Sequence, residues 1–112
     1  MGKGGSRPEI DVEAANELLE AGSARLIDVR EEWEFRRRRV PGAALVPLNT
    51  LVQQAGALPN DKPILVICEH GTRSLAAAEY LLSRGFAGAT SVRGGTDAWA
   101  RRNLPIEFGE PR

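Results

Sequence analysis

Cys68 is the only cysteine of the 112-residue chain, and it opens the run Cys68-Glu69-His70-Gly71-Thr72-Arg73-Ser74. The four residues ahead of it, Ile64-Leu65-Val66-Ile67, have the length and β-branched content of a buried parallel strand. Beyond the run, Ala77, Ala78, Leu81 and Leu82 recur at helical spacing, and Gly85 supplies a left-handed stop. The thiol is therefore expected on a tight loop between a strand end and a helix N-terminus. Backbone N–H groups and the positive end of the helix dipole meet there and favour a thiolate and a bound anion. Arg73 acts in the same direction, whereas Glu69 opposes it and disfavours a dianionic ligand. An isolated cysteine at a strand end is most often a small apolar packing residue. The strand–loop–helix setting and Arg73 shift the reading to a nucleophile. His70, the only histidine, is expected to point outward; with Cys68 it lacks the further soft ligands a metal would need, and no cofactor is implied.

The elements that must hold this loop alternate. Glu9-Ile10 reads as a short edge strand, and Asp11 as the N-cap of a helix through Leu19, stopped at Gly22. Ala24 to Val29 reads as a second buried strand, followed by a helix from Glu31 to about Arg38. In that helix acids precede bases, as the macrodipole prefers, and Glu32–Arg36 and Glu34–Arg38 are spaced for i,i+4 pairs. The run Arg36 to Arg39 is accordingly expected to be a solvated helix end. A turn at Val40-Pro41-Gly42-Ala43 leads to a short strand, Ala44 to Val46, and a helix through Leu48, Leu51 and Val52. Gly88 to Val92 is the last expected strand. Thr96 is expected to cap a final helix that carries Trp99 and ends at Asn103. Trp33, Tyr80 and Trp99 are expected to be packed or half-buried, and Asp28 and Arg30 to brace a strand end.

Strands alternating with helices imply a three-layer α/β domain with a small, mostly parallel sheet. Ligands of such sheets bind at the carboxyl ends of the strands, which puts Cys68, Val29-Arg30 and Val92-Arg93-Gly94-Gly95 on one edge. One domain over 9–112 is expected, with 1–8 as a glycine-rich flexible leader. Fifteen basic and fifteen acidic residues balance, which argues against a nucleic acid or membrane partner. A single cysteine cannot staple the chain internally, and no segment is long and apolar enough to span a bilayer or head a secretory signal. A cytoplasmic setting is the expectation.

A thiolate backed by amides and an arginine suits phosphoryl transfer or sulfur transfer, since both develop negative charge at the loop. The tyrosine-phosphatase signature has five residues between its cysteine and arginine. Here Glu69, His70, Gly71 and Thr72 make four, a smaller cradle that favours a single persulfide sulfur over a tetrahedral phosphate. A phosphatase or arsenate reductase, and a non-catalytic recognition module, remain as the other classes.

From Asp11 onward the chain resembles the rhodanese-like domains. The resemblance rests on Leu26-Ile27-Asp28-Val29-Arg30-Glu31, Glu34-Phe35, Val40-Pro41-Gly42-Ala43, Pro47-Leu48, Cys68-x-x-Gly71-x-Arg73-Ser74, Gly85-Phe86, Gly94-Gly95 and Ala98-Trp99, in this order. It implies a rhodanese fold and a thiosulfate-type sulfurtransferase. Cys68 would accept the sulfur, and Glu69, His70, Gly71, Thr72, Arg73 and Ser74 would form the substrate-binding loop. The donor would be thiosulfate or a persulfide. The acceptor would be cyanide, a thiol or a sulfur-relay protein. Arg38 and Arg39 stand where the family usually carries glycine and histidine. The preceding helix is thus expected to end differently, or Arg39 to bring another cation toward the pocket. With no second cysteine, the sulfur must leave to an external acceptor.

Overall fold

The computed structural model describes residues 7–110. The expected leader 1–8 therefore lies outside the described residues except for Arg7 and Pro8. The Pro8 carbonyl already accepts a hydrogen bond from the Ser91 amide at 2.7 Å.

Seven strands and five α-helices follow in the order β1 (Glu9–Ile10), α1 (Val12–Glu20), β2 (Arg25–Asp28), α2 (Glu32–Arg37), β3 (Arg38–Arg39), β4 (Ala44–Leu45), α3 (Leu51–Gln54), β5 (Ile64–Ile67), α4 (Thr72–Ser83), β6 (Thr90–Val92), α5 (Gly95–Arg101) and β7 (Glu107–Phe108). Five of the strands form one sheet in the order β1-β6-β5-β2-β4, and every pairing in it is parallel. Because β5 is central, both its faces are buried. Ile64, Val66 and Cys68 pack with Leu51, Ala77, Ala78 and Leu81 on one side. Leu65 and Ile67 pack with Val12, Ala15, Val92 and Trp99 on the other. The sheet is thus sandwiched between α3 and α4 on one face and α1 and α5 on the other, which is the expected three-layer fold. Ala77 and Ala78, wholly buried, let α4 lie close on the sheet, while Leu82 at the edge of its stripe is exposed.

From β2 the chain moves outward to β4, and from β5 it moves outward the other way to β6. The strand order therefore reverses between β2 and β5. An open parallel sheet has its binding crevice beyond the carboxyl ends of the strands at such a point. The segments leaving those two ends are Val29-Arg30-Glu31 and Cys68 to Gly71.

Helix α1 starts as expected: Asp11 accepts the Ala14 amide at 3.0 Å. Two local expectations are corrected. The arginine run is not all helix end, because α2 stops at Arg37 and Arg38-Arg39 form β3, antiparallel to β7. Arg38 has φ −163°, plain extended backbone, so it needs no left-handed conformation. Arg39 is buried, its guanidinium donating to the carbonyls of Phe35 and Gly109 and pairing with Glu107. The long-range pairing with β7 overrode the helical charge pattern. Likewise Thr96 does not cap α5. The helix begins two residues earlier, at Gly95 behind Gly94, and Thr96 is buried inside its first turn. Asn103, with φ 59°, ends α5 in the left-handed region as its residue type implied.

Candidate active site

Cys68 directly follows β5 and is almost wholly buried, with 1% of its surface exposed. Gly71, at φ 103°, turns the chain sharply enough that its amide donates to the Cys68 Sγ at 3.0 Å. The Ser74 amide, in the first turn of α4, points at the same sulfur at 3.3 Å, and the Ser74 hydroxyl lies 3.3 Å from it. Behind Ser74 stands Ser91 of β6, buried, with its Oγ 2.7 Å from that of Ser74. A neutral thiol donates to the Ser74 oxygen. Once the sulfur ionises, Ser91 can donate to Ser74 and Ser74 to the sulfur. The amides of Glu69, His70, Thr72 and Arg73 have no hydrogen-bond partner among the described residues.

The loop is held from below by α5. The Cys68 carbonyl accepts from the Thr96 amide at 2.8 Å and its hydroxyl at 3.1 Å, and the Glu69 carbonyl accepts from the Asp97 amide at 3.1 Å. Such proximity requires glycine: a Cβ on Gly95 would collide with the carbonyl groups of both Cys68 and Glu69. A Cβ on Gly71 would stand 3.1 Å from the Gly94 amide nitrogen.

The charged residues around the loop are mutually engaged. Arg30, buried, forms a bidentate ion pair with the buried Asp28 and reaches the Arg38 carbonyl at 2.8 Å and Glu69 at 3.1 Å. Burial pulls the Arg30 guanidinium down most strongly, but hydrogen bonding and charge attraction from Asp28, with Glu69 and Glu34 adding, together outweigh it and raise the group above its ordinary value. Arg38 pairs with the other Glu69 oxygen at 2.8 Å. Glu34 accepts from both terminal guanidinium nitrogens of Arg73, at 2.8 and 2.9 Å, and from the Glu31 amide at the start of its own helix. The hydrogen bonds from Arg73 hold the Glu34 carboxyl below the usual range, and the same pair raises Arg73.

Three expectations change here. Glu34 pairs with Arg73 and not with Arg38, although Glu32–Arg36 forms as spaced. The extra cation near the pocket is Arg38, not Arg39. Trp33 is 60% exposed instead of packed. His70 is exposed as expected, 3.9 Å from Asp97. Thr72 lies on the surface, while Gly71 and Ser74 are buried.

The family model for the rhodanese-like domain matches residues 11–102. The chain belongs to the rhodanese-like family. A thiosulfate sulfurtransferase GlpE of Vibrio cholerae is 41% identical over 98 residues, spanning 88% of this chain and 92% of that protein. A sulfurtransferase of Allochromatium vinosum is 32% identical over 99 residues, spanning 88% and 92%. Among solved structures, a rhodanese-related protein of Thermoplasma volcanium has TM-score 0.84 and 29% identity, over 92% of this chain and 99% of that one. The enzyme class expected from the sequence, a rhodanese-type sulfurtransferase, is the class these curated relatives carry.

In this rhodanese-like chain, sequence reasoning brought the loop together but missed its supports. Glu34, Arg38, Ser91 and Thr96 were not singled out for the site. Two signals pointed to them. Ser91 places a hydroxyl next to Val92 in the last expected strand, and Gly94-Gly95 before a helix marks a close backbone approach. No helix among the described residues is long and apolar enough to cross a membrane.

Proposed function

We propose that the protein transfers a sulfane sulfur from thiosulfate to an external acceptor through a persulfide on Cys68. The observation that carries this reading is the convergence of the Gly71 and Ser74 amides and the Ser74 hydroxyl on one sulfur at the start of α4. Such fixed donors stabilise a thiolate where it must attack and where it must leave.

In the first half-reaction the Cys68 thiolate attacks the outer sulfur of thiosulfate. The sulfur–sulfur bond of the donor breaks, and its electron pair departs on sulfite. The new outer sulfur carries negative charge, for which the unengaged amides of Glu69, His70, Thr72 and Arg73 are at hand. An acceptor then attacks that sulfur, and Cys68 leaves again as a thiolate. Since Glu69 is neutralised by Arg30 and Arg38, its charge no longer argues against a dianionic donor. Cys68 to Ser74, with Glu34 holding Arg73, form the substrate-binding loop in this reading.

Incubation with thiosulfate and cyanide is expected to release thiocyanate and sulfite in equal amounts, and Cys68→Ser to release neither. Thiocyanate formation undiminished in Cys68→Ser would remove the cysteine from the chemistry.

A further inference from the structure

A cleft of about 580 Å³ opens beside the active-site loop, between α2 and β7. Four of its lining residues are engaged in ion pairs, Arg30 and Arg38 with Glu69, and Glu34 with Arg73. Three others are not so engaged. Arg37 is exposed and forms no ion pair among the described residues. Trp33 and Phe108 are 60% and 73% exposed, two of the four exposed large apolar side chains among the described residues. All three line this cleft. A guanidinium with no ion-pair partner among the described residues and two exposed aromatic rings line the same cleft next to the Cys68 loop, which matches a ligand with an anionic group and an apolar body.

The volume lies in the range of small-molecule sites, roughly 300–1,000 Å³. Thiosulfate has too few atoms to fill it and carries no apolar part. The geometry points to the cleft as the subsite for the acceptor, a small organic thiol bearing a carboxylate. The carboxylate is taken by Arg37, whose planar fork suits it. The organic body lies against Trp33 and Phe108, and the thiol faces the end where Glu69 adjoins Cys68. This inference rests on the sulfurtransferase reading above. In the step it serves, the acceptor thiolate forms a bond to the outer sulfur of the Cys68 persulfide. The persulfide bond breaks, its electron pair returns to the Cys68 sulfur, and the product leaves as the acceptor's persulfide.

The test loads the protein with thiosulfate, removes excess donor, and follows discharge of the persulfide by mercaptoacetate, β-mercaptoethanol or thiosalicylate. Arg37→Ala is expected to lower the mercaptoacetate-to-mercaptoethanol rate ratio about two- to fivefold, the worth of an exposed ion pair, and Arg37→Lys to restore most of it. Arg36→Ala, an arginine outside the cleft, leaves the ratio as it was. Trp33→Ala and Phe108→Ala are expected to slow thiosalicylate more than mercaptoacetate. If the protein loads but these ratios do not move, the cleft is not the acceptor site, while the persulfide reading stands. Failure to load from thiosulfate overturns that reading, and this inference with it.

Discussion

At the scale of single residues, the site is a sulfur held by neutral donors while the surrounding charges are paired off. Ser74 spends its amide and its hydroxyl on Cys68, and Ser91 is buried behind it with that hydroxyl as its partner. Ser74→Ala therefore removes a hydrogen bond to the charged form of Cys68 and orphans the Ser91 hydroxyl. The expected outcome is a persulfide-loading rate about tenfold to a hundredfold lower, from the ~1.5–3 kcal/mol of a hydrogen bond to a charged group. Stopped-flow loading by thiosulfate measures it, and an unchanged rate would remove Ser74 from the chemistry. Asp28 presents a different case. It touches no substrate in this account, yet it is the bidentate partner of a buried arginine. Asp28→Asn takes the bidentate partner from the buried Arg30 and leaves it Glu69 as its direct counter-ion, so unfolding in urea is expected to show a loss of about 3 kcal/mol, the low end for a broken buried pair.

At the scale of elements, α5 works as a bracket for the loop. Its first turn gives the Thr96 and Asp97 amides to the carbonyls of Cys68 and Glu69, which requires the two backbones to meet at Gly94-Gly95. Gly95 has φ 64°, and a Cβ there would overlap those same carbonyls. Gly95→Ala combines backbone strain of about 1 kcal/mol with displacement of the loop. A lowered melting temperature together with slowed loading is the expected result. A lowered melting temperature with normal loading would show that α5 stabilises the fold without positioning Cys68. Helix α2 performs a second coupling, because Glu34 ties its own N-terminus to Arg73 at the start of α4. The pairing of β3 with β7 then fixes the chain leaving α2 and places Arg38 on Glu69.

For the whole molecule, acid is expected to loosen the fold through carboxylates that native partners hold ionised. Glu34 is kept below the usual carboxyl range by Arg73, and Asp61, at the far end of β2, is drawn down to about 2 by Arg25. Groups depressed in the folded state contribute stability above their unfolded values, near 4, and lose it as pH falls toward the folded ones. The melting temperature should thus be level near neutrality and fall below about pH 5. Glu34→Gln and Asp61→Asn should each flatten that acid limb, which a melting series across pH would check. The layers, the parallel sheet and the Cys68 loop were legible because each rests on local patterns: an apolar run, helical spacing, a glycine that permits a positive φ. What was not legible depends on distant partners. Arg38 and Arg39 read as a helix end until β7, some seventy residues on, pairs with them. Thr96 read as a cap until the Cys68 carbonyl took its amide and hydroxyl. The exposure of Trp33 likewise follows from where α2 lies and not from its local sequence. Covalent carriage of sulfur by Cys68 is tested most directly by the intact mass of the reduced protein after thiosulfate treatment. The predicted result is a gain of one sulfur atom, reversed by cyanide and absent in Cys68→Ser; no gain, or a gain that survives the substitution, would contradict it.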